Sequence, residues 1–499
     1  MKTIALLTFI AVYALLLLLP KYRAVSALSA AALFLLLRIV PLGDVAGTVD
    51  WNVLMMLAGT MGTVDLFIRS NMPNRLSDRL VAVLPSVKWL IIALALFAGL
   101  VSAFVDNVAT VLMLAPVGLA ISKKLNISPV QPILAIAVSS NLQGAATLVG
   151  DTTSILLGGH MGLDFMDFFV YRGRPGLFWV VQAGALMTVP VMLFLFRKEK
   201  GKLYGAALTP VTDYLPTCLL LGTVLSLIAA SFIPNKPEIT NGLICMTFFL
   251  AGLAAECGRY GTALAKDVLK AIDYETLALL AGLFLVIRGI ERAGIIDDLS
   301  HIITGMGGGN LFLTYTIIVW ASVLISAFVD NIPYTATMLP VMTGVAASLG
   351  VNQAVLCFGL LTGATLGGNL IPIGASANIA AIGILRKNGE TVTTTDTELA
   401  HALADAGDLS DGHLRIPGTI SNYLVQGQAI NFNGITCYAA YDEQQNLGSS
   451  VAAFWVSVLI LLATVVVLLV CRWNSAFLYR PIRELLDQAY DVFGRREQN

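Results

Sequence analysis

An all-α polytopic membrane protein is the fold class that this sequence predicts. It contains two inverted repeats, each with a re-entrant helical hairpin and a broken transmembrane helix. Composition is the first reason, because 57% of the 499 residues are hydrophobic and only 12% are charged, whereas an average soluble domain carries about 25% charged residues. Repetition is the second, because one hexapeptide containing an Asp-Asn pair occurs twice within apolar surroundings.

Apolar runs close to the roughly 20 residues that cross a bilayer recur along most of the chain. We predict spans near 2–20, 24–42, 49–69, 129–160 (broken), 176–196, 214–233, 239–256, 274–290, 353–386 (broken) and 451–471. The stretches 88–121 and 309–350 each hold an Asp-Asn pair in the middle. We predict that each is a hairpin that enters and leaves on one side, because the basic clusters then collect on the cytoplasmic side. The expected location is the cell inner (plasma) membrane, as an integral multi-pass protein.

The repeated string is Ser-Ala-Phe-Val-Asp-Asn, at residues 102–107 and again at 326–331. Its offset of 224 residues is shared by Gly150 and Gly374. Identical polar residues at matched offsets indicate an internal repeat rather than chance similarity. Each copy contains an odd number of predicted crossings, so the second copy lies upside down relative to the first. Secondary transporters share this plan and bind their substrate where the repeats meet, near the membrane midplane.

The repeat divides the chain into four predicted parts. The first inverted repeat covers 1–205, and the second covers 206–388 together with the span at 451–471. A polar insert at 389–450, rich in Thr, Asp and turn residues, is expected on the cytoplasmic side. The tail at 472–499 is Arg-rich and amphipathic.

The two hairpin tips are the first candidate site. An ionisable side chain inside a bilayer needs a partner or a watery cavity, and Asp and Asn oxygens are hard ligands suited to Na⁺ or a proton. We therefore predict that Asp106, Asn107, Asp330 and Asn331 bind the coupling ion and line the substrate cavity. In the alternative, each Asp only caps a helix within its hairpin.

The two broken helices are the second candidate site, because their Gly, Pro, Thr and Asn residues weaken a continuous helix and free backbone groups for an ion. The predicted binding residues are Asn141, Gly144, Thr147, Gly150, Asp151 and Thr152 in the first, and Gly368, Asn369, Gly374, Ser376 and Asn378 in the second. Asp151 has Ala375 as its counterpart, and is a further candidate for cation or proton handling. Close helix packing through small residues is the alternative.

These motifs resemble the ion transporter superfamily, which includes arsenite permeases, sodium/proton antiporters, P-protein-like permeases and divalent anion/sodium symporters. SAFVDNVATVLMLAP resembles the first hairpin, and NLQGAATLVGDTTS and LGGNLIPIGASANI resemble the broken helices. By position, residues 106–108 and 330–332 stand where the symporters have Ser-Asn-Thr, which adds Val108 and Ile332 to the predicted site. The resemblance implies an elevator mechanism. An acid in place of each Ser favours the arsenite and P-permease branch over the carboxylate branch.

The expected function is therefore a secondary active transporter of a small anion or arsenite-like solute, coupled to H⁺ or Na⁺. A sodium/proton antiporter is the alternative, and a transporter-like membrane sensor that signals through the insert and tail is the second alternative. No nucleotide-binding loop or catalytic triad motif occurs, so neither an enzyme nor a cofactor is expected. The net charge of −1 provides no basic surface for nucleic acid. The expected partners are the bilayer, the small ion substrate and, as the resemblance implies, a second copy in a homodimer.

Overall fold

The computed structural model describes residues 2–18, 22–84, 86–125, 129–198, 209–370, 375, 377–378 and 380–381, and three strands between 413 and 442. The chain divides into two compact units, Met1–Val392 and Thr393–Asn499. The predicted span at 451–471, the tail at 472–499, and the site residues Gly374 and Ser376 lie outside the described residues.

The first unit is helical. Its first half contains α1 (Lys2–Leu18), α2 (Arg23–Leu36), α3 (Val45–Thr48), α4 (Trp51–Arg69), α5 (Met72–Val83), α6 (Val87–Ser102), α7 (Asn107–Leu125), α8 (Val130–Gly144), α9 (Thr152–Met161) and α10 (Leu177–Leu195). Its second half contains α11 (Leu215–Ala230), α12 (Thr240–Tyr260), α13 (Thr262–Ala271), α14 (Tyr274–Arg292), α15 (Ile295–Met306), α16 (Leu311–Phe328), α17 (Asn331–Leu349) and α18 (Gln353–Gly367). A short hairpin of β1 (Val170–Tyr171) and β2 (Arg174–Pro175) precedes α10.

The surface of the helical unit suits a bilayer. Among the described residues, five helices are long and apolar enough to cross a membrane: α4, α10, α12, α16 and α17. On α10, Met187 is 77% exposed and Phe194 62% exposed, as expected where lipid replaces water around an apolar side chain. The prediction of a polytopic α-helical membrane protein is confirmed.

Helices α4 and α14 are equivalent in the two repeats and run in opposite directions. Asp50 caps the start of α4 by accepting a hydrogen bond from the Val53 amide at 3.0 Å, and Asp273 caps α14 by accepting one from the Thr276 amide at 3.0 Å. The C-terminal half of α4 and the N-terminal end of α14 line one cavity, whereas the opposite ends of both helices line a second cavity. The second repeat is therefore inverted relative to the first.

Matched packing extends through both halves. Helix α4 packs on α12 and α14 on α2, while α6 packs on α8 and α16 on α18. Glycines allow close contact in the pairs α4–α12 and α14–α2. A Cβ at Gly59 would lie 2.5 Å from the Cys245 carbonyl carbon, and one at Gly282 would lie 2.8 Å from the Ala27 carbonyl carbon. We refer to α2, α4, α12 and α14 together as the scaffold, which the hairpins and the first broken helix contact.

Both predicted hairpins are present, as α6 with α7 and α16 with α17. The first predicted broken helix is present too: α8 ends at Gly144, and α9 begins at Thr152. Both hairpin turns line the same cavity, so each turn lies inside the protein rather than at a membrane surface. The second predicted broken helix begins as α18, and the residues predicted to form its break are only partly described.

Three amphipathic helices, α5, α13 and α15, occupy segments where no span is predicted. Two of them lie in the basic clusters that we interpret as cytoplasmic. Asn71 adopts a left-handed conformation (φ 58°) before α5, and Gly294 does so (φ 72°) before α15, so the chain turns sharply into these helices at equivalent places in the two repeats.

The second unit contains a β-sheet within the predicted polar insert. It is antiparallel, with the order β3 (His413–Pro417), β4 (Asn422–Phe432) and β5 (Ile435–Asp442). The prediction of an insert at 389–450 included no strands. This segment contains β-branched and aromatic residues such as Tyr423, Val425, Tyr438 and Tyr441, a composition typical of strands.

Candidate functional site

A cavity of about 410 Å³ lies between the two hairpin turns, the first broken helix, and the scaffold helices α4 and α14. Nine of the predicted site residues line it: Asp106, Asn107, Val108, Asn141, Asp151, Thr152, Asp330, Asn331 and Ile332. The structure thus brings together the two hairpin tips, which are 224 residues apart in sequence.

Each hairpin acid caps a helix and also lines the cavity. Oδ2 of Asp106 accepts hydrogen bonds from the amides of Val108 (3.0 Å) and Ala109 (3.3 Å). Oδ1 of Asp330 accepts one from the Ile332 amide at 3.0 Å. The caps described by the capping alternative are present, and each uses one oxygen of the carboxyl group at the cavity wall.

The asparagine after each acid is held by a serine of its own hairpin and by a glycine of the broken helix. Oδ1 of Asn107 accepts a hydrogen bond from Ser102 Oγ at 2.7 Å, and Asn331 accepts the equivalent bond from Ser326. A Cβ at Gly144 would strike the Asn107 amide. In the second repeat, a Cβ at Gly368 would lie 2.9 Å from Asn331 Nδ2. These two glycines shape the site without lining it.

Hydrogen bonds between asparagines join the two broken helices. Nδ2 of Asn141, which is 2% exposed, donates to Asn369 Oδ1 at 2.8 Å and to Asn378 Oδ1 at 3.0 Å. Asn378 in turn donates to the Gly368 carbonyl at 2.9 Å. Three predicted residues thus form a polar link across the repeat interface, in which Asn141 and Asn378 are buried and Asn369 is half-buried.

The remaining predicted residues of the first break pack against the hairpin turn rather than the cavity. The Thr147 hydroxyl donates to the Ala103 carbonyl. A Cβ at Gly150 would meet the carbonyl oxygens of Ser102 and Ala103 at 2.7 Å. Their role in the described structure is to hold the turn against the break.

The cavity is strongly acidic. Two scaffold acids, Asp65 and Asp273, line it beside the three predicted ones. Asp65 pairs with Arg69 at 2.6 Å, and Asp330 pairs with Arg23 at 2.9 Å. In the described part of the chain, the other three acids form no ion pair. Such a wall attracts cations or protons and repels a bare polyanion.

Sequence reasoning missed three residues at or beside this cavity. Asp65 and Asp273 are not among the predicted site residues. The sequence 273–282 nevertheless has a weak similarity to 50–59, which identifies α14 as part of the repeat. Arg23 belongs to one of the basic clusters predicted on the cytoplasmic side, and that prediction gives it no role in the site, but its Nη1 lies 2.9 Å from Asp330 Oδ2. No local pattern links residues 307 positions apart.

A family model described as a citrate transporter matches residues 13–363. The chain belongs to the citrate transporter family. An uncharacterized transporter of Mycobacterium tuberculosis (strain CDC 1551 / Oshkosh) is 31% identical over 405 residues, covering 79% of this chain and 93% of that protein. A 46 kDa membrane protein of Mycobacterium leprae is 29% identical over 418 residues, covering 79% and 93%.

A more distant relative, the P protein, agrees with the resemblance that the motifs indicate. The human P protein is 26% identical over 476 residues, covering 78% of this chain and 56% of that protein. A crystal structure of the YdaH transporter of Alcanivorax borkumensis matches with a TM-score of 0.48 and 15% identity, over 73% of this chain and 83% of that one. The predicted membership in the superfamily that includes P-protein-like permeases is confirmed, and this member of the citrate transporter family is a membrane transporter.

Replacing Asn141 with Ala tests the link between the broken helices in this citrate transporter family member. The change leaves the buried Asn378 Oδ1 without this donor, and an unpaired buried acceptor costs about 1–3 kcal/mol. It also removes a donor from the half-buried Asn369. We expect a clearly lower melting temperature in detergent. Thr247→Ala is the control, because Thr247 is exposed and bonds only to its own helix. Equal melting temperatures for the two variants would contradict the structural role of the link.

Proposed function

We propose that the protein is a secondary active transporter that moves a small anion, or an arsenite-like solute, coupled to H⁺ or Na⁺. The observation that carries this proposal is the meeting of two helix-capping acids, two asparagines and a broken helix in one acidic cavity. A cation or proton at Asp106 and Asp151 would offset the acidic wall and allow an anion to enter beside it.

The acidic wall of the cavity also limits the charge that a substrate can carry. The family description names citrate, a polyanion that five aspartates would repel unless it arrives protonated or with a cation. The arginines beside the cavity, Arg23 and Arg69, already pair with Asp330 and Asp65. This supports cation coupling, because the positive charge that would balance the substrate must then come from a bound cation. Citrate is therefore the first substrate to test, with arsenite and simple inorganic anions after it.

Alternating access is proposed to follow the elevator plan, in which the hairpins and broken helices move against the scaffold of α2, α4, α12 and α14. The cavity is lined by residues of both groups of helices, and its wall includes Ile68 and Ala271 beside the basic segments around α5 and α13. The positive-inside rule places those segments in the cytoplasm. We therefore propose that this conformation is open to the inside and that the protein resides in the inner (plasma) membrane.

A sodium/proton antiporter is the second candidate, since an acidic cavity without a free basic residue among those described suits cations alone. Reconstituted proteoliposomes with an imposed Na⁺ or pH gradient separate the candidates. The transporter proposal predicts gradient-driven uptake of citrate, arsenite or an inorganic anion. Na⁺-driven proton movement without uptake of any solute would favour the antiporter, and the absence of every flux would contradict both.

A further inference from the structure

Arg23 connects the scaffold to the second hairpin. It begins α2, and its side chain is 13% exposed. Nη1 lies 2.9 Å from Asp330 Oδ2, and Nε lies 3.3 Å from Glu275 Oε1 at the start of α14. An arginine remains charged at every physiological pH, so Asp330 has a permanent counter-ion in this conformation.

The second hairpin acid therefore has both oxygens engaged. Oδ1 of Asp330 caps α17 through the Ile332 amide, and Oδ2 accepts from Arg23. At the first hairpin, Oδ2 of Asp106 caps α7, and no Lys, Arg or His in the described part of the chain pairs with it. A cation could bind at Oδ2 of Asp330 only by displacing the guanidinium.

The second repeat has no arginine at the matched position of its scaffold. Because Gly59 packs on Cys245 as Gly282 packs on Ala27, helix α12 corresponds to α2 with an offset of 218 residues. Asn241 then stands at the position of Arg23, and Asn52, which accepts a hydrogen bond from the Gly242 amide at 2.7 Å, stands at that of Glu275. A charged pair on one side of the pseudo-symmetric scaffold is a neutral pair on the other. The cation near that neutral pair, Lys236, donates to Asn241 Oδ1 at 3.3 Å and pairs with Asp164 at 2.5 Å.

We propose that Arg23 is a built-in competitor of the coupling cation: in the conformation with this cavity open, it occupies Asp330 and expels the cation from the second hairpin. The inference rests on the proposed cation coupling. When the hairpin moves along the scaffold, Asp330 leaves Arg23 and becomes free to bind a cation. The charge asymmetry between Arg23 and Asn241 thus favours cation release on one side of the membrane.

Competition has a direct signature in cation binding by the purified protein. The melting temperature is titrated with NaCl against choline chloride at constant ionic strength, and separately with pH, for wild type, Arg23→Gln, Arg23→Lys and Arg23→Gln/Asp330→Asn. We expect Arg23→Gln to shift the stabilising cation midpoint to about 10-fold lower concentration. The double variant removes the acid that the cation would occupy and is expected to lose this shift.

Arg23→Lys keeps the charge with a different geometry, so its midpoint is expected to stay within a few-fold of wild type. Flux in vesicles of sorted orientation gives a second readout: in Arg23→Gln, cation on the cavity side should inhibit uptake at about 10-fold lower concentration. A loss of stability or rate in Arg23→Gln with an unchanged cation midpoint would overturn the inference and leave Arg23 a structural tie. Failure of cation coupling itself is distinct, because wild type would then show neither cation stabilisation nor gradient-driven flux.

Discussion

Asp106→Asn is expected to reduce cation-driven uptake strongly while leaving the hairpin folded. Asn caps a helix about as well as Asp, so the bonds to the Val108 and Ala109 amides have a suitable replacement. The variant loses only the charge. A hydrogen bond or contact to a charged group contributes about 1.5–3 kcal/mol, and each 1.36 kcal/mol is tenfold in rate. We therefore expect uptake to fall roughly 10- to 100-fold or more.

This pair of properties separates the two interpretations of the hairpin acids. Asp106→Ala loses cap and charge together. It should also lower the melting temperature, because a cap contributes roughly 1 kcal/mol to the free energy of unfolding. Asp297→Asn is the matched control, because Asp297 is exposed on α15 and lies outside the cavity. If Asp106→Asn transported like wild type while Asp106→Ala did not, the acid would be a cap alone.

The sequence predicts those parts of the site that each repeat carries in its own motif. The hairpin acids, their asparagines and the first break are all visible as a duplicated string or a cluster of helix-weakening residues. The inverted arrangement follows from the odd number of crossings. The structure adds the meeting of the two tips in one cavity, because that depends on how the repeats pack.

Features that arise only between distant segments could not be predicted. The pairing of Arg23 with Asp330 joins the start of one helix to a turn 307 residues later. A basic residue at the end of an apolar run is ordinarily explained as a charge that flanks a membrane span. The amphipathic helices α5, α13 and α15 have too few apolar residues to suggest spans. The strands of the insert lie in a segment whose polar composition predicts a loop, and its β-branched and aromatic residues are the signal that indicates strands.

Gly150→Ala is expected to disable the site through backbone crowding alone. A Cβ there would meet the carbonyl oxygens of Gly144, Ser102 and Ala103, the latter two at 2.7 Å. Backbone atoms cannot rotate away as a flexible side chain can, so the break between α8 and α9 must separate from the hairpin turn. Overpacking of this kind costs about 1–3 kcal/mol, and the displaced turn carries Asp106.

The direction of the effect makes this substitution informative. In an ordinary helix interior, replacing Gly with Ala stabilises by up to about 1 kcal/mol, and Gly184→Ala in α10 should behave in this way because no atom lies within 4 Å of the added Cβ. We expect Gly150→Ala to lower both the melting temperature and the rate of uptake, the latter about tenfold or more. Equal behaviour of the two variants would mean that the turn and the break do not need this contact. A stable Gly150→Ala variant without uptake would instead show that their contact sets the geometry of the cation site rather than the stability of the fold.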